Sequence, residues 1–180
     1  MFEKDIEKVL YSADDIKKRI KELAAEIEKD YAGKEIIMVC LLKGAAPFMA
    51  DLAREINLVV QYDFMSVSSY GNASSTSGNV KITKDLSSDI LGKHVIVVED
   101  IVDTGLTLDY ILRILGERQP ESLRLCALLD KTECRRIDVG IDYKGFEVPD
   151  EFIVGYGLDY AQKYRNLPYV GVLKKSVYDQ

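Results

Sequence analysis

The chain has 180 residues, of which 47% are hydrophobic and 30% charged, a composition typical of one soluble globular domain that can bury a real core. Its net charge of −6 argues against nucleic acid as the main partner, because such binders need a basic surface. The charged N-terminus lacks the apolar core of a signal peptide, and no apolar run reaches membrane-spanning length. We therefore expect a cytoplasmic protein of one domain, residues 1–180, without a membrane partner.

The cysteines Cys40, Cys126 and Cys134 are odd in number and form no C-x-x-C pair. This spacing argues against a metal cage or a disulfide framework. Cys40 and Cys126 lie inside apolar runs, where we expect buried thiols.

A short strand over Ile6–Leu10 is predicted to lead into the first helix. Ser12 stands at a helix N-cap position, and Asp15 lies where a capping box places an acid. Gly33 is expected to end this helix. Apolar residues recur between them at helical spacing and predict one buried stripe: Ile16, Ile20, Leu23, Ile27 and Tyr31.

A second buried strand is predicted over residues 35–42, where apolar residues follow one another almost without a break. It ends at Lys43 and Gly44, and a helix is expected to follow through Phe48, Leu52 and Ile56. One interpretation of the junction is a plain strand-to-helix turn whose lysine points to solvent. The other is a functional loop that binds part of a ligand.

A long strand predicted over 58–67 precedes the one low-complexity stretch of the chain, residues 68–78. This stretch is small, polar and glycine-rich, so it buries too little apolar surface to order itself. A strand over Val80–Thr83 follows it, and His94, the only histidine, leads into the next strand. His94 stands at the start of that strand, and the acids Glu99 and Asp100 stand at its other end. We therefore interpret His94 as structural.

The most informative stretch is Val95–Thr107. Four apolar β-formers predict a strand buried on both faces, and Glu99, Asp100 and Asp103 follow where it ends. Ligands bind at the carboxyl ends of strands in open α/β sheets, and N–H groups at a helix start suit a phosphate. A phosphate cradle beside carboxylates predicts a phosphorylated sugar as the ligand. The helix after this stretch is predicted from the spacing of Leu108, Ile111, Leu112 and Leu115.

An ordinary strand–turn–helix would explain Asp103 or Thr104 as a capping residue. It does not explain Glu99 and Asp100 at the end of a buried strand, where unpaired charge is costly. The apolar run, the two acids and the following D-T-G-x-T closely resemble the phosphoribosyl pyrophosphate (PRPP) motif of type I phosphoribosyltransferases. The chain has neither a P-loop nor a G-x-G-x-x-G turn.

That resemblance implies an α/β fold of the type I phosphoribosyltransferase kind, with a central, mainly parallel twisted sheet flanked by helices. A small hood over the site would be built from about 1–12 and 145–175. The stretch 68–78 would be a flexible lid that excludes water, with Ser69 and Tyr70 as its contact pair. Leu42-Lys43-Gly44 resembles the pyrophosphate loop of purine-salvaging members of the family, which implies a cis Leu42–Lys43 peptide bond.

Another buried strand is predicted over 123–129 and is followed by Asp130 and Lys131. Residues 145–160 and 164–168 strongly resemble the purine-binding end of hypoxanthine-guanine phosphoribosyltransferases, so the likeness covers nearly the whole chain. The reaction that it implies belongs to purine salvage. A nitrogen of hypoxanthine or guanine replaces pyrophosphate on C1 of PRPP, with the help of Mg²⁺.

The resemblance also assigns roles to residues. Ribose and its 5′-phosphate would be bound by Glu99, Asp100, Asp103, Thr104, Gly105, Leu106 and Thr107. Asp103 would also act as the general base for the purine. Position 106 is leucine, so only its N–H can serve the phosphate. Pyrophosphate would be bound by Lys43, Gly44 and Arg165, the purine by Lys131, Phe152 and Ile153, and the metal by Glu99, Asp100 and Asp159.

Lys131 carries the prediction of base specificity. Its ammonium is a pure donor, which bonds a 6-oxo group but offers no acceptor to the 6-amino group of adenine. Phe152 would stack on the purine, and the Ile153 backbone would read the far edge of the ring. Plainer interpretations stay open, since Phe152 and Ile153 also suit a core strand. Asp159 also suits a turn, and Arg165 a surface ion pair.

Other functions stay open at this point. A transferase that prefers xanthine is the nearest alternative, because backbone atoms are expected to read the 2-position of the base. A regulatory protein that keeps this fold and binds nucleic acid is disfavoured by the acidic balance and the full set of acids. A nucleotide-binding domain without transfer activity is the third alternative. The resemblance further implies a homodimer or a homotetramer.

Overall fold

The computed structural model describes residues 4–69 and 80–179. Nearly all of the predicted lid over 68–78, including Tyr70, lies outside the described residues, as does the side chain of Ser69. The lid therefore stays a prediction.

Strands and helices alternate along most of the chain. The strands are β1 (Ile6–Tyr11), β2 (Ile36–Leu42), β3 (Val60–Ser69), β4 (Val80–Lys84), β5 (His94–Val102), β6 (Ser122–Asp130), β7 (Tyr143–Glu147), β8 (Ile153–Val154) and β9 (Val170–Leu173). The helices are α1 (Ala13–Asp30), α2 (Ala46–Glu55), α3 (Leu106–Glu117) and α4 (Lys175–Tyr178), and a 3₁₀ turn covers Thr132–Cys134. These elements confirm the predicted strands and helices, with small shifts at their ends.

One of these shifts has a clear cause. The strand predicted from residue 58 begins at Val60, because its parallel neighbour β2 begins at Ile36, which pairs with Val60. Leu58 and Val59 therefore lie ahead of the ladder.

The main sheet has six strands in the order β4-β3-β2-β5-β6-β7. All neighbouring pairs are parallel except β3 with β4, and β4 is an outermost strand of the sheet. A smaller sheet, in the order β1-β9-β8, joins the two ends of the chain and forms the hood. This confirms the expected mainly parallel α/β sheet with a hood. In a parallel sheet all carboxyl ends lie on the same edge, so the ends of β2, β5 and β6 meet.

Side chains of neighbouring strand residues point to opposite faces of the sheet. Val98 and Cys126 join the buried cluster formed with α1 and α2. Val97 and Ala127 join the cluster that contains the buried residues of α3. Both faces of the sheet are therefore covered by helices, which explains why its strands read as continuous apolar runs.

The start of α1 confirms the predicted capping box. The hydroxyl of Ser12 accepts a hydrogen bond from the Asp15 N–H at 3.2 Å, and the Asp15 carboxylate accepts one from the Ser12 N–H at 2.9 Å. The predicted stripe is buried throughout, although the helix ends at Asp30, before Gly33. Within 4–69 and 80–179, no helix is both long and apolar enough to span a bilayer.

Asp63, in β3, is 2% exposed, and its carboxylate accepts hydrogen bonds from the N–H groups of Phe64, Ser87 and Ser88 at 2.8, 2.8 and 2.9 Å. Burial raises the pKa of Asp63, but these hydrogen bonds and the charge of Lys84 outweigh it and lower the pKa below its usual value. Because the folded pKa lies below the unfolded one, the stabilisation is present above roughly pH 4 and is lost as the pH falls further. We expect Asp63→Asn to lower the free energy of unfolding at neutral pH by about 1–3 kcal/mol in urea titrations.

The same titrations near pH 3 should show a smaller difference between Asp63→Asn and the wild type. Asp179→Asn alters an exposed carboxyl group and serves as the control, with an expected change below about 0.5 kcal/mol. Equal stabilities of Asp63→Asn and the wild type at neutral pH would contradict the role of these hydrogen bonds.

Candidate active site

Two adjacent acids lie where β5 reaches the edge of the sheet. The Glu99 Oε2 atom is buried and has no hydrogen-bond partner among the described residues. Burial, together with the negative charge of Asp100, raises the pKa of Glu99 well above its usual value. Burial also raises the pKa of Asp100, although this carboxylate accepts a hydrogen bond from the Ile101 N–H at 2.9 Å. Because burial disfavours the ionised form of these carboxyl groups, a cation or hydroxyl donors beside them would stabilise that form.

The end of β2 approaches this acid pair closely. The Leu42–Lys43 peptide bond is cis, as the resemblance implied. A Cβ on Gly44 would lie 1.5 Å from the Asp100 Oδ2 atom. A Cβ on Gly157, in the loop after β8, would lie 2.0 Å from the Gly44 oxygen. Only glycines at both positions allow the loop after β2 to pack between Asp100 and the hood.

The hood brings three of the predicted site residues together through Gln162. Arg165 forms an ion pair with Asp159 at 2.6 Å and donates to the Gln162 Oε1 atom at 3.3 Å. Lys43 donates to the same oxygen at 3.4 Å. The Asp159 carboxylate also accepts a hydrogen bond from the Gln162 N–H at 2.8 Å. The two cations assigned to pyrophosphate and the acid assigned to the metal therefore form one cluster.

The loop between β5 and α3 has the geometry of a helix-start anion site. Gly105 is the N-cap residue of α3 and has a left-handed φ of 83°. The Leu106 N–H donates to the Thr104 hydroxyl at 3.5 Å. Asp103, Leu106 and Thr107 are exposed, so their polar groups are accessible to a ligand.

A cavity of about 740 Å³ opens beside the acid pair. Five of the predicted residues are among those that line it: Asp100, Lys131, Phe152, Ile153 and Asp159. Asp103 and the loop 104–107 are not among the described residues that line the cavity. Ile101, two residues before Asp103, does line it. The structure thus joins the three predicted purine residues and two of the three predicted metal residues, Asp100 and Asp159, in one cavity. The loop predicted to bind phosphate, residues 103–107, follows directly from this wall.

Inside the cavity, Lys131 and Phe152 are held in place by neighbouring residues. The Lys131 ammonium donates to the Asp150 carboxylate at 3.2 Å and to the Glu151 carbonyl at 3.0 Å. The Phe152 ring stacks on Tyr178 with 4.8 Å between the ring centres. Because an ammonium has three donors, one remains for a ligand.

Three residues near the site were missed by the sequence analysis: Gln162, Tyr178 and Arg135. Gln162 joins the hood cluster, and Tyr178 supports Phe152. Arg135 donates to the Asp103 carbonyl at 3.0 Å. None of the three stands in a motif, and their contacts depend on the tertiary fold.

Comparison with known proteins agrees with this geometry. The family model described as "Phosphoribosyl transferase domain" matches residues 8–161. A hypoxanthine-guanine phosphoribosyltransferase from Bacillus subtilis (strain 168) is 50% identical over 179 residues, which cover 99% of each chain. Another from Streptococcus thermophilus (strain CNRZ 1066) is 52% identical over 180 residues and 100% of each chain.

The fold has an equally close match among solved structures. A crystal structure of a hypoxanthine phosphoribosyltransferase from Staphylococcus aureus has a TM-score of 0.95 and 47% identity, covering 98% of this chain and 96% of that chain. The chain therefore belongs to the type I phosphoribosyltransferase family, among its hypoxanthine-guanine phosphoribosyltransferases.

Proposed function

We propose that this chain transfers the 5-phosphoribosyl group of PRPP to hypoxanthine or guanine, giving IMP or GMP and pyrophosphate in a Mg²⁺-dependent reaction of purine salvage. The observation that carries the proposal is the meeting of three strand ends at one edge of the sheet, from β2, β5 and β6. They bring together a glycine loop, an acid pair with a helix start, and a lysine donor. The near full-length identity to the relatives supports the same reaction.

Ribose and phosphate bind at the end of β5. Glu99 and Asp100 accept hydrogen bonds from the ribose hydroxyls, which gives the buried Glu99 Oε2 atom the partner that it lacks among the described residues. The exposed loop from Asp103 to Thr107 binds the 5′-phosphate through N–H groups and threonine hydroxyls.

The leaving pyrophosphate binds between the β2 loop and the hood. Lys43, Gly44 and Arg165 hold it, and the planar guanidinium of Arg165 suits its oxygens. Arg165 is paired with Asp159 in this structure, so the side chains assigned to pyrophosphate and to the metal lie next to each other.

The residues present fit Mg²⁺ bound together with its substrate. Among the described residues no group of three or more metal-ligating side chains forms a cage, and Mg²⁺ commonly uses one or two carboxylates plus substrate phosphates. Asp159 would hold the ion directly, with Glu99 and Asp100 helping through the ribose hydroxyls. When bound, the ion neutralises the charge that develops on the leaving pyrophosphate.

The purine is selected in the cavity beside the acid pair. Lys131 donates its remaining hydrogen to the 6-oxo group, Phe152 stacks on the ring with the face opposite to Tyr178, and the Ile153 backbone meets the far edge. Asp103 accepts the proton on the purine N7 as N9, the other nitrogen of the same ring, bonds to C1 and pyrophosphate leaves. The protein contributes mainly orientation and charge stabilisation to this dissociative reaction.

A spectroscopic assay with PRPP, Mg²⁺ and each purine in turn tests the proposal. We expect IMP from hypoxanthine, GMP from guanine, and far slower conversion of adenine. A preference for xanthine over both bases would assign the chain to the xanthine-preferring alternative. Absence of any nucleotide product, with salt-sensitive binding of RNA or DNA, would overturn the proposal.

Gly44→Ala tests the pyrophosphate loop, because the added Cβ would overlap the Asp100 carboxylate at 1.5 Å. We expect the KM for PRPP to rise by roughly tenfold or more, since a shift of about one ångström at a substrate contact has a large cost. Gly116→Ala is the matched control, because a Cβ there meets nothing within 4 Å. An unchanged KM in Gly44→Ala would remove this loop from the PRPP site.

The proposal includes three features that rest on length, composition and the family resemblance. Residues 1–180 form one cytoplasmic domain, and two or four copies assemble. The third feature is the predicted role of segment 68–78, with Ser69 and Tyr70, as a lid. Light scattering of the purified chain tests the assembly, and a monomer at micromolar concentration would contradict it.

A further inference from the structure

Residues 102–107, which include the residues proposed to bind the 5′-phosphate, are called the phosphate loop. One segment, residues 131–137, holds it through hydrogen bonds. The Val102 carbonyl accepts hydrogen bonds from the Lys131 N–H at 2.9 Å and from Arg135 at 3.3 Å. The Asp103 carbonyl accepts one from the Arg135 Nε–H at 3.0 Å. The Thr104 carbonyl accepts two from backbone N–H groups, those of residues 136 and 137, at 2.9 and 3.1 Å. Consecutive carbonyl groups of the loop therefore all face this segment.

The direction of these carbonyls fixes the direction of the N–H groups. In a trans peptide unit the C=O and N–H groups point to opposite sides, and the Leu42–Lys43 bond is the cis bond of the described chain. The N–H groups of Asp103, Thr104 and Gly105 therefore point away from segment 131–137. Successive N–H groups turned to one side form an anion-binding nest.

Close packing leaves this arrangement little freedom. A Cβ on Gly105 would lie 2.2 Å from the Ile137 carbonyl oxygen and 3.2 Å from the Arg135 Cδ atom. The glycine is thus required by the segment behind the loop as well as by its left-handed φ of 83°.

Arg135 is itself rigidly held. Its guanidinium forms an ion pair with Asp130, and the two side chains are only 14% and 8% exposed. Asp130 also pairs with Lys144 at 3.3 Å. A guanidinium keeps its charge at every relevant pH and presents its donors in a fixed plane. Arg135 can therefore hold two neighbouring carbonyls in a defined direction.

We propose that Arg135 is a positioning residue for the 5′-phosphate. It does not touch the substrate; it orients the carbonyls of Val102 and Asp103 so that the following N–H groups converge on the phosphate. The inference rests on the proposed function, and it assigns the phosphate-dependent part of nucleotide affinity to a buried ion pair behind the loop.

The test compares GMP with guanosine, which lacks the phosphate, by titration calorimetry. In Arg135→Gln we expect the affinity for GMP to fall by about 10- to 100-fold, while guanosine affinity stays within about twofold. The KM for PRPP should rise and the KM for hypoxanthine should not. Arg135→Lys keeps the charge without the planar fork, so it should restore only part of the GMP affinity.

Arg136→Gln is the matched control, because it removes the same charge from an exposed neighbour in the same segment. If Arg135→Gln fails to fold, the double variant Asp130→Asn, Arg135→Gln replaces the buried ion pair by neutral groups. Equal losses for GMP and guanosine, or no loss for GMP in a folded variant, would overturn the inference. A wild-type chain that binds GMP no better than guanosine would instead contradict the proposed function.

Discussion

Asp103→Asn is expected to lower kcat by roughly 100- to 10 000-fold, the range that a general base contributes. The amide keeps the size of the carboxylate but cannot accept the proton that the purine loses. Asp103 is exposed at the end of β5, and Arg135 holds its main-chain carbonyl. The backbone of the phosphate loop should therefore persist in the variant, and the KM for PRPP should change little.

The experiment separates the chemical step from product release, which limits the turnover of many enzymes. Single-turnover rates of IMP formation at neutral pH should fall by roughly 100-fold or more in Asp103→Asn. Asp109→Asn removes an exposed carboxylate in the first turn of α3 and is the control. A single-turnover rate within twofold of the wild type would remove Asp103 from the chemistry.

The strand ends that form the site were predictable because they depend on local pattern. Val95–Val98 and the acids after them identify a buried strand that ends at a charged edge, and parallel strands share that edge. The structure and the comparisons confirm the fold, the family and the hood.

The contacts that connect these strand ends were not predictable from pattern. Tyr178 stacks on Phe152, a residue 26 positions earlier, and the Asp103–Arg135 hydrogen bond spans 32 positions. Neither contact leaves a periodic or spaced signal, because packing in three dimensions brings the partners together. The same is true of Gln162, which the sequence analysis passed over between Asp159 and Arg165.

The ion pair between Arg165 and Asp159 shows a further limit of motif reasoning. The resemblance assigns these residues to different ligands, pyrophosphate and metal, yet they bind each other at 2.6 Å. A motif predicts the role of a residue toward its substrate, whereas the structure shows which other residues of the chain it contacts.

Lys131→Gln is expected to reduce the preference for hypoxanthine over adenine by at least about 100-fold. A site built to bond one polar group rejects a mismatched one by roughly 10⁴-fold, because the buried donor is left unpaired. The Lys131 side chain is 13% exposed, and its ammonium donates to the Asp150 carboxylate and the Glu151 carbonyl. Its one remaining hydrogen can bond to an acceptor on the base, but an ammonium has no acceptor for the amino group of adenine.

The glutamine side chain carries both a donor and an acceptor, so it can turn its oxygen toward the adenine amino group. The kcat/KM of Lys131→Gln should fall for hypoxanthine and rise for adenine. Lys131→Met is the control, because it keeps much of the shape of the side chain without a polar group. Its kcat/KM for hypoxanthine should fall, and its kcat/KM for adenine should not rise. Since Asp150 is 61% exposed, losing its partner should cost little stability, which thermal melting checks. A glutamine variant that still prefers hypoxanthine as strongly as the wild type would mean that another group reads the 6-position.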